Sequence, residues 1–208
     1  MKTILFTLCV LFIVVQSCGE RTLIRHYYIL ELPAKGDYYA GSMLPVTGVC
    51  EILNTKVPPA FAQLRIAVRK RSNEISYYQY HYWAMNPSDN LTALLANQVE
   101  MSRIFAHSRS GLLKQIPEYQ IKSKVYNLEA LDNGDIYYAH LQMTVELINY
   151  ESQTLMVTHS FDRTKAIEER DLNLFASELS VIFQEEINQF ISKMRTFFEK
   201  KNAAEPAP

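Results

Sequence analysis

Cys18 carries the clearest chemical signature in this sequence, because it directly follows a short apolar leader. Residues 1–3 (MKT) supply one positive charge and residues 4–15 are mostly apolar, which is typical of an export signal peptide. The apolar run is too short to cross a bilayer, since a spanning helix needs about 20 such residues. The leader ends in residues 15–18 (VQSC), where an aliphatic residue, a small residue and then a cysteine form a lipobox.

The lipobox predicts a defined modification of Cys18. The thiol is first alkylated by a diacylglyceryl group, and a peptidase then cuts before the cysteine, where the small Ser17 lets the backbone enter the protease. Two or three acyl chains, such as palmitate, anchor a protein stably because each buried CH₂ group contributes about 0.8 kcal/mol. Gly19 rather than Asp follows the cysteine, which favours the outer membrane under the common sorting rule. Gln16 is less usual at its position, and an ordinary secretory leader that happens to contain a cysteine is the alternative.

The composition is that of an ordinary globular protein with little charge bias. The 208 residues are 48% apolar and 21% charged, and 21 basic residues nearly cancel 22 acidic ones. A chain of this length can bury a core without disulfides or metals. Binding to nucleic acid without sequence preference requires a basic face, so the balance of charges argues against a nucleic-acid partner.

Beyond Cys18, the residue types that do chemistry show no informative spacing. The five histidines form no HExxH motif or paired-ligand pattern, and the sequence has no phosphate-binding glycine motif. If Cys18 is acylated and Cys9 leaves with the leader, Cys50 is the remaining free thiol, and its place in a predicted strand indicates a small buried hydrophobe. We therefore expect a protein that is not an enzyme, with no catalytic residue, metal or cofactor. A tethered enzyme, with histidine and carboxylate groups converging in a deep pocket, is the alternative.

Alternation of apolar and polar residues predicts several strands. Asn133-Gly134 is a strong signal for a hairpin turn, because both turn positions tolerate positive φ. After it, apolar residues occupy every second position of 137–147, so one face of that strand should be buried. The predicted strands are 26–32, 48–53, 64–69, 74–83, 119–131, 136–148 and 155–161.

Two other segments have the helical period. Ser88 is predicted to cap a helix that ends near Ala106 and places Phe105 on its apolar stripe. From residue 168 to residue 200, a second stripe predicts one long helix, or two broken near the middle. This order of elements predicts an α+β fold, with a largely antiparallel (mixed) sheet of about five or more strands and two main helices packed on one face.

The predicted domain organisation follows from these elements. The ranges are 1–17 for the signal peptide, 18–26 for a lipidated tether, 27–200 for a single α+β periplasmic domain, and 201–208 for a disordered tail. Within the domain, residues 33–43 contain Pro and Gly and are predicted to form a loop.

The densest run of aromatic residues lies in the predicted strand 74–83. Its rings fall on both faces of the strand, and they are Tyr77, Tyr78, Tyr80, Tyr82 and Trp83. One face should belong to the core. The other face suits a partner or a lipid-headgroup surface, unless a helix or loop covers it.

Several short pieces, in their order and spacing, resemble a known family. They are Cys18-Gly19, YYIL at 27–30, PAF at 59–61, LRIAVR at 64–69, ISYY at 75–78, YWAMNP at 82–87, Leu91 and Leu95 in the amphipathic helix, and SRIF at 102–105. Over nearly the whole mature sequence, the chain resembles the ABC-type transport auxiliary lipoproteins, the family that includes PqiC. Residues 34–47 show no match to it, which leaves the exact transporter partner open.

The resemblance implies a role in lipid transport between two membranes. It implies a non-catalytic lipoprotein of the outer membrane that faces the periplasm and works beside an ABC permease, its ATPase and an MCE-domain protein. A second copy of the same chain, in a homo-oligomer, is a further possible partner. Only the role of Cys18 carries over residue by residue. A structural lipoprotein that helps to assemble the outer membrane, as a small partner of the lipopolysaccharide-assembly barrel does, is the alternative.

Replacing the acceptor cysteine tests the lipobox directly. Cys18→Ala is expected to leave the leader uncleaved, because the lipoprotein peptidase acts on the alkylated cysteine. The measurement is the mass of the protein purified from membranes, compared with that of the unsubstituted chain. A mature, leader-free Cys18→Ala protein would contradict the lipobox and favour the ordinary secretory leader.

Overall fold

Strands and helices alternate along the chain, beginning close to the predicted tether. The computed structural model describes residues 23–32, 45–111, 116–134 and 136–204. The strands within these ranges are β1 (His26–Tyr28), β2 (Val46–Ile52), β3 (Arg65–Arg71), β4 (Glu74–Trp83), β5 (Phe105–Ser110), β6 (Tyr119–Asp132), β7 (Tyr137–Asn149) and β8 (Leu155–Ile167). The helices within them are α1 (Pro59–Ala62), α2 (Pro87–Ser102) and α3 (Leu172–Ala204).

The strands form one mixed sheet with β6 at its centre. One edge of β6 pairs antiparallel with β7, and β7 pairs antiparallel with β8. The other edge of β6 is shared, because its first residues pair in parallel with β2 and its last residues pair in parallel with β3. Beyond this fork, β5 lies next to β2, while β4 and then β1 lie next to β3. In the described sheet β8 is therefore outermost on one side, and β1 and β5 are outermost on the other.

Alternation along β7 decides which face of the sheet is buried. The turn that joins β6 to β7 has Gly134 at a φ of +97°, which favours glycine. Every second side chain along β7 is then buried on one face, and these residues are Tyr137, Ala139, Leu141, Met143, Val145 and Leu147. The predicted hairpin and the predicted buried face are both confirmed.

α3 covers this buried face as one uninterrupted helix. Its 33 residues extend about 50 Å at 1.5 Å per residue. Asp171 caps its first turn, because Oδ1 accepts the N–H of Asn173 over 2.6 Å. The apolar stripe packs on β7 and β8, and its buried members are Leu172, Phe175, Leu179, Ile182, Phe183, Ile187, Phe190, Ile191, Met194 and Phe198. None of the helices in the described ranges is long and apolar enough to cross a bilayer.

α2 packs beside α3 on the same side of the sheet, against β5 and β2. Its boundaries differ from those predicted. Asn86 rather than Ser88 is the N-cap, and its side chain accepts the N–H of Ser88 over 2.9 Å. The helix ends at Ser102 because Arg103 adopts a left-handed backbone with φ +52°. Phe105, which the helical spacing places on α2, instead begins β5 and is buried there.

The ends of the described chain also differ from the prediction. β1 contains only three residues, whereas the predicted first strand is 26–32. α3 begins at Leu172 rather than at the predicted residue 168, and it continues to Ala204. Residues 201–204 are therefore helical and do not belong to a disordered tail, while 205–208, the leader, Cys18 and the predicted loop lie outside the described residues. The predicted fold class, α+β with helices on one face of a mixed sheet, is confirmed.

The packing of α3 predicts a large effect of one truncation. Phe183 is fully buried, so Phe183→Ala is expected to reduce the free energy of unfolding by about 3–5 kcal/mol, since it leaves a cavity against the sheet. Leu174 is exposed on the same helix, and Leu174→Ala is expected to change the free energy of unfolding by less than about 0.5 kcal/mol. Urea unfolding followed by circular dichroism measures both, and similar losses in the two variants would contradict this packing.

Candidate functional site

The predicted lipid site lies upstream of the described residues, which begin at Leu23. His26, the first residue of β1, follows Cys18 by eight positions. At about 3.5 Å per extended residue, these positions span at most about 28 Å. β1 pairs in parallel with β4 over three residues, so the predicted tether leads directly into an outer strand of the sheet.

His159 on β8 is part of a cluster that ties this strand to α3. Its Nε2 lies 2.8 Å from Oε2 of Glu186, and its Nδ1 lies 2.8 Å from Nζ of Lys193. Because a lysine ammonium only donates, Nδ1 of His159 accepts and its Nε2–H donates. Arg163 lies 3.2 Å from the other oxygen of Glu186, so this buried carboxylate has a partner on each oxygen.

His140 lies on the opposite face of the sheet, between two carboxylates. Its Nδ1 is 3.3 Å from Oε1 of Glu129, and its Nε2 is 2.8 Å from Oδ1 of Asp162. Nε of Arg69 donates to the same Glu129 oxygen over 2.9 Å. Burial by itself would lower the pKa of His140, but the hydrogen bonds to Glu129 and Asp162 outweigh burial and raise the pKa above its ordinary 6.5.

These clusters hold strands and helix together. Neither His140 nor His159 bonds to a Ser, Thr or Cys side chain among the described residues. In that part of the chain, no three His, Cys, Asp or Glu residues converge to hold a metal. Cys50 is fully buried in β2, as predicted, and burial raises the pKa of its thiol, which disfavours the reactive thiolate. The described geometry therefore directs attention to binding surfaces.

Several rings of the aromatic strand β4 are covered by neighbouring elements. The hydroxyl of Tyr77 donates to a backbone carbonyl of α1 over 3.1 Å, and the hydroxyl of Tyr78 lies 3.1 Å from that of Tyr137. Trp83 is buried, with its ring 6.0 Å from that of a phenylalanine in α3. These three rings belong to the core and its margin, and because the consecutive residues Tyr77 and Tyr78 lie on opposite faces of β4, both faces of the strand are partly covered.

The outer edge of β8 is unpaired in the described sheet, since only β7 pairs with this strand. Proteins protect such edges with charged side chains, because free N–H and C=O groups can pair with another chain. The second half of β8 is protected by Asp162, Arg163 and Lys165. Residues 157–161 (VTHSF) contain no Asp, Glu, Lys or Arg, and they follow a bulge at Met156, where the register with β7 shifts. We call 157–161 the free β8 edge.

A groove of about 440 Å³ lies between the start of the free β8 edge and the last turns of α3. Met156, Val157 and Phe197 supply its apolar lining, and the polar lining residues of α3 are Ser192, Lys193, Thr196 and Lys200. Such a groove can take an apolar side chain of an extended segment, while the ammonium groups favour a neighbouring acidic residue. Sequence reasoning missed this edge and groove, because neither contains a recognisable motif.

Comparison with protein families adds to the geometry. A family model described as ABC-type transport auxiliary lipoprotein component matches residues 28–189, which are 162 of the 208 residues. The match runs from the end of β1 into the second half of α3. A search of curated proteins found no matching sequence.

Solved structures share the fold of this chain. Protein XCC0632 from Xanthomonas campestris has a TM-score of 0.66 and 16% identity, with 86% of this chain and 99% of that chain covered. An uncharacterized protein has a TM-score of 0.64 and 12% identity, with coverage of 82% and 99%. At such low identity these two likenesses establish the fold alone.

The raised pKa of His140 predicts a pH-dependent contribution to stability. A histidine whose pKa is higher in the folded state stabilises the fold fully below pH 6.5, and this contribution disappears as the pH rises through the folded-state pKa. His140→Gln is therefore expected to lower the free energy of unfolding more in mildly acidic buffer than in alkaline buffer. Urea titrations across the pH range measure the difference, with His107→Gln as the control at an exposed histidine. A deficit that grows with pH would contradict the raised pKa of His140.

Proposed function

Because this chain belongs to the family of ABC-type transport auxiliary lipoprotein components, we propose that it is the accessory lipoprotein of a transporter that moves lipids between membranes. In this role it performs no catalysis, works beside an ABC permease and its ATPase, and docks the far end of an MCE-domain protein at the outer membrane. The acyl chains on Cys18 hold it in the outer membrane, facing the periplasm. The family match over residues 28–189 is the observation that carries the proposal.

The anchoring part of the proposal is supported by sequence and family together. The lipobox ends at Cys18, and the family match begins ten residues later, at Tyr28. This spacing leaves a short tether between the acylated cysteine and the folded domain. Gly19, in place of the Asp that retains lipoproteins in the inner membrane, supports the outer membrane as the destination.

The docking part of the proposal is supported by the free β8 edge. A strand of the MCE-domain protein added at 157–161 would continue the sheet through backbone hydrogen bonds, and the adjoining groove would select its side chains. Lys193 and Lys200 favour an acidic strand.

Site-specific cross-linking in native membranes tests the docking surface. A photo-reactive residue at Thr158, which is exposed on the free β8 edge, is expected to form an adduct with the MCE-domain protein that mass spectrometry identifies. The same residue at Leu174, exposed near the start of α3, is expected to form little of it. Phe197→Asp is expected to reduce the Thr158 adduct severalfold, because it places a carboxylate in the apolar wall of the groove.

Three outcomes would count against this assignment. An adduct between two copies of the chain at Thr158 would assign the edge to self-association. Equal adducts from Thr158 and Leu174 would show no preference for the edge. An unchanged adduct in Phe197→Asp, compared with the matched variant Leu174→Asp, would remove the groove from the docking surface.

A further inference from the structure

Three strands begin or end at one corner of the sheet, and each leaves a large apolar side chain exposed there. The N–H of Trp83, at the end of β4, donates over 2.6 Å to the carbonyl of Leu64, just before β3. The N–H of the next residue donates over 2.6 Å to the carbonyl of Tyr28, at the end of β1. These bonds hold the three segments side by side. Beside them, Ile29, Leu64 and Met85 are 39%, 48% and 42% exposed.

Tyrosine and arginine side chains extend this apolar corner along the same strands. Tyr27 is 59% exposed, and its ring lies 5.8 Å from that of Tyr82, its partner in the register of β1 and β4. The guanidinium of Arg25 lies 5.9 Å from the centre of the Tyr82 ring, and Arg65 pairs with Tyr82 from β3. We call this surface the β1 corner, and it consists of Arg25, Tyr27, Ile29, Leu64, Arg65, Tyr82 and Met85.

The residue types of the β1 corner suit the boundary between water and lipid. Tyrosine combines an apolar ring with a polar hydroxyl, and arginine keeps its guanidinium at the level of the phosphates while its methylene chain lies lower. A single exposed apolar side chain is ordinary, but several beside one another indicate an interaction surface. The two arginines complement anionic headgroups, and Leu23 and Ile24, both exposed, continue the apolar character towards Cys18.

We propose that the β1 corner lies in the headgroup layer of the membrane to which Cys18 is anchored, an inference that rests on the proposed acylation. Tyr27 follows Cys18 by nine residues, so the tether holds the corner within about 32 Å of the anchoring point. At such a high effective concentration, even weak contacts with lipid are occupied, because the anchor has already removed most of the translational freedom. Apolar contact area and two arginine–phosphate interactions then orient the domain on the bilayer.

This orientation places the free β8 edge away from the lipid. Five strand spacings separate β1 from β8 in the order β1-β4-β3-β6-β7-β8, which amounts to about 24 Å at about 4.8 Å per spacing. Leu155, at the start of β8, is 50% exposed and thus matches Leu64 in exposure while lying on the far side of the sheet. It provides a matched control position.

A polarity-sensitive fluorophore on a single introduced cysteine can read the orientation. The mature acylated protein, as Leu64→Cys, Met85→Cys or Leu155→Cys, is labelled and reconstituted in vesicles of phosphatidylethanolamine and phosphatidylglycerol. Cys50 does not compete for the label, since it is fully buried and burial raises the pKa of its thiol. Quenching by headgroup-labelled nitroxide lipid reports contact with the interface, and flotation of the vesicles reports anchoring.

Probes at positions 64 and 85 are expected to shift to the blue and to be quenched severalfold more than the probe at position 155. Floated protein with equal quenching at 64 and 155, or with none at 64, would overturn the corner while leaving the anchor intact. Protein that does not float would contradict the acyl anchor and the proposal that rests on it. Arg25→Glu combined with Arg65→Glu is expected to weaken quenching at 64 without changing flotation, and unchanged quenching would overturn the arginine–phosphate contacts.

Discussion

The structure depends on the burial of the α3 stripe against the β7 face of the sheet. Phenylalanines at 175, 183 and 190 fill the space above a strand whose inward side chains are all buried. Each such side chain contributes about 1.5–3 kcal/mol when it leaves water, so this contact outweighs any single polar interaction in the domain. Once α3 lies across β7 and β8, the helical face of the sheet is closed, and the opposite face and the perimeter of the sheet remain for partners.

Buried charged side chains add hydrogen bonds and ion pairs to this packing at two places. Glu186 on α3 binds both His159 and Arg163 of β8, and this fixes the rotation of the helix over the edge strand. On the other face, Glu129 is shared by Arg69 and His140, and so β3, β6 and β7 are linked through one carboxylate. Removing one partner from such a cluster would leave a buried charge uncompensated. The polar residues within these otherwise apolar strands therefore occur in paired groups.

Local sequence patterns predicted the β6–β7 hairpin and the long helix α3. Features that depend on neighbouring strands were not predicted. The alternation of 137–147 and the Asn133-Gly134 turn determine β6, β7 and their buried face by themselves. β5 has no such pattern, because it is short and takes its place from parallel pairing with β2. The short helix α1 was not predicted, although proline suits the first turn of a helix and Pro59 begins this one. The free β8 edge and the β1 corner depend on which strands lie beside them, so the sequence pointed only to Cys18 and to the aromatic rings of strand 74–83.

The sheet has outer strands of different chemistry on its two sides. On the β1 side, strand ends expose aliphatic, tyrosine and arginine side chains within reach of the tether, a composition suited to lipid. On the β8 side, unpaired backbone and a groove with two lysines suit an acidic protein segment. In the proposed arrangement the packed α3 layer makes the sheet between these two sides rigid, so anchoring at one side determines where a partner strand is held on the other. A subunit with this task needs a stiff body and two edges, and the sheet covered by α3 supplies both.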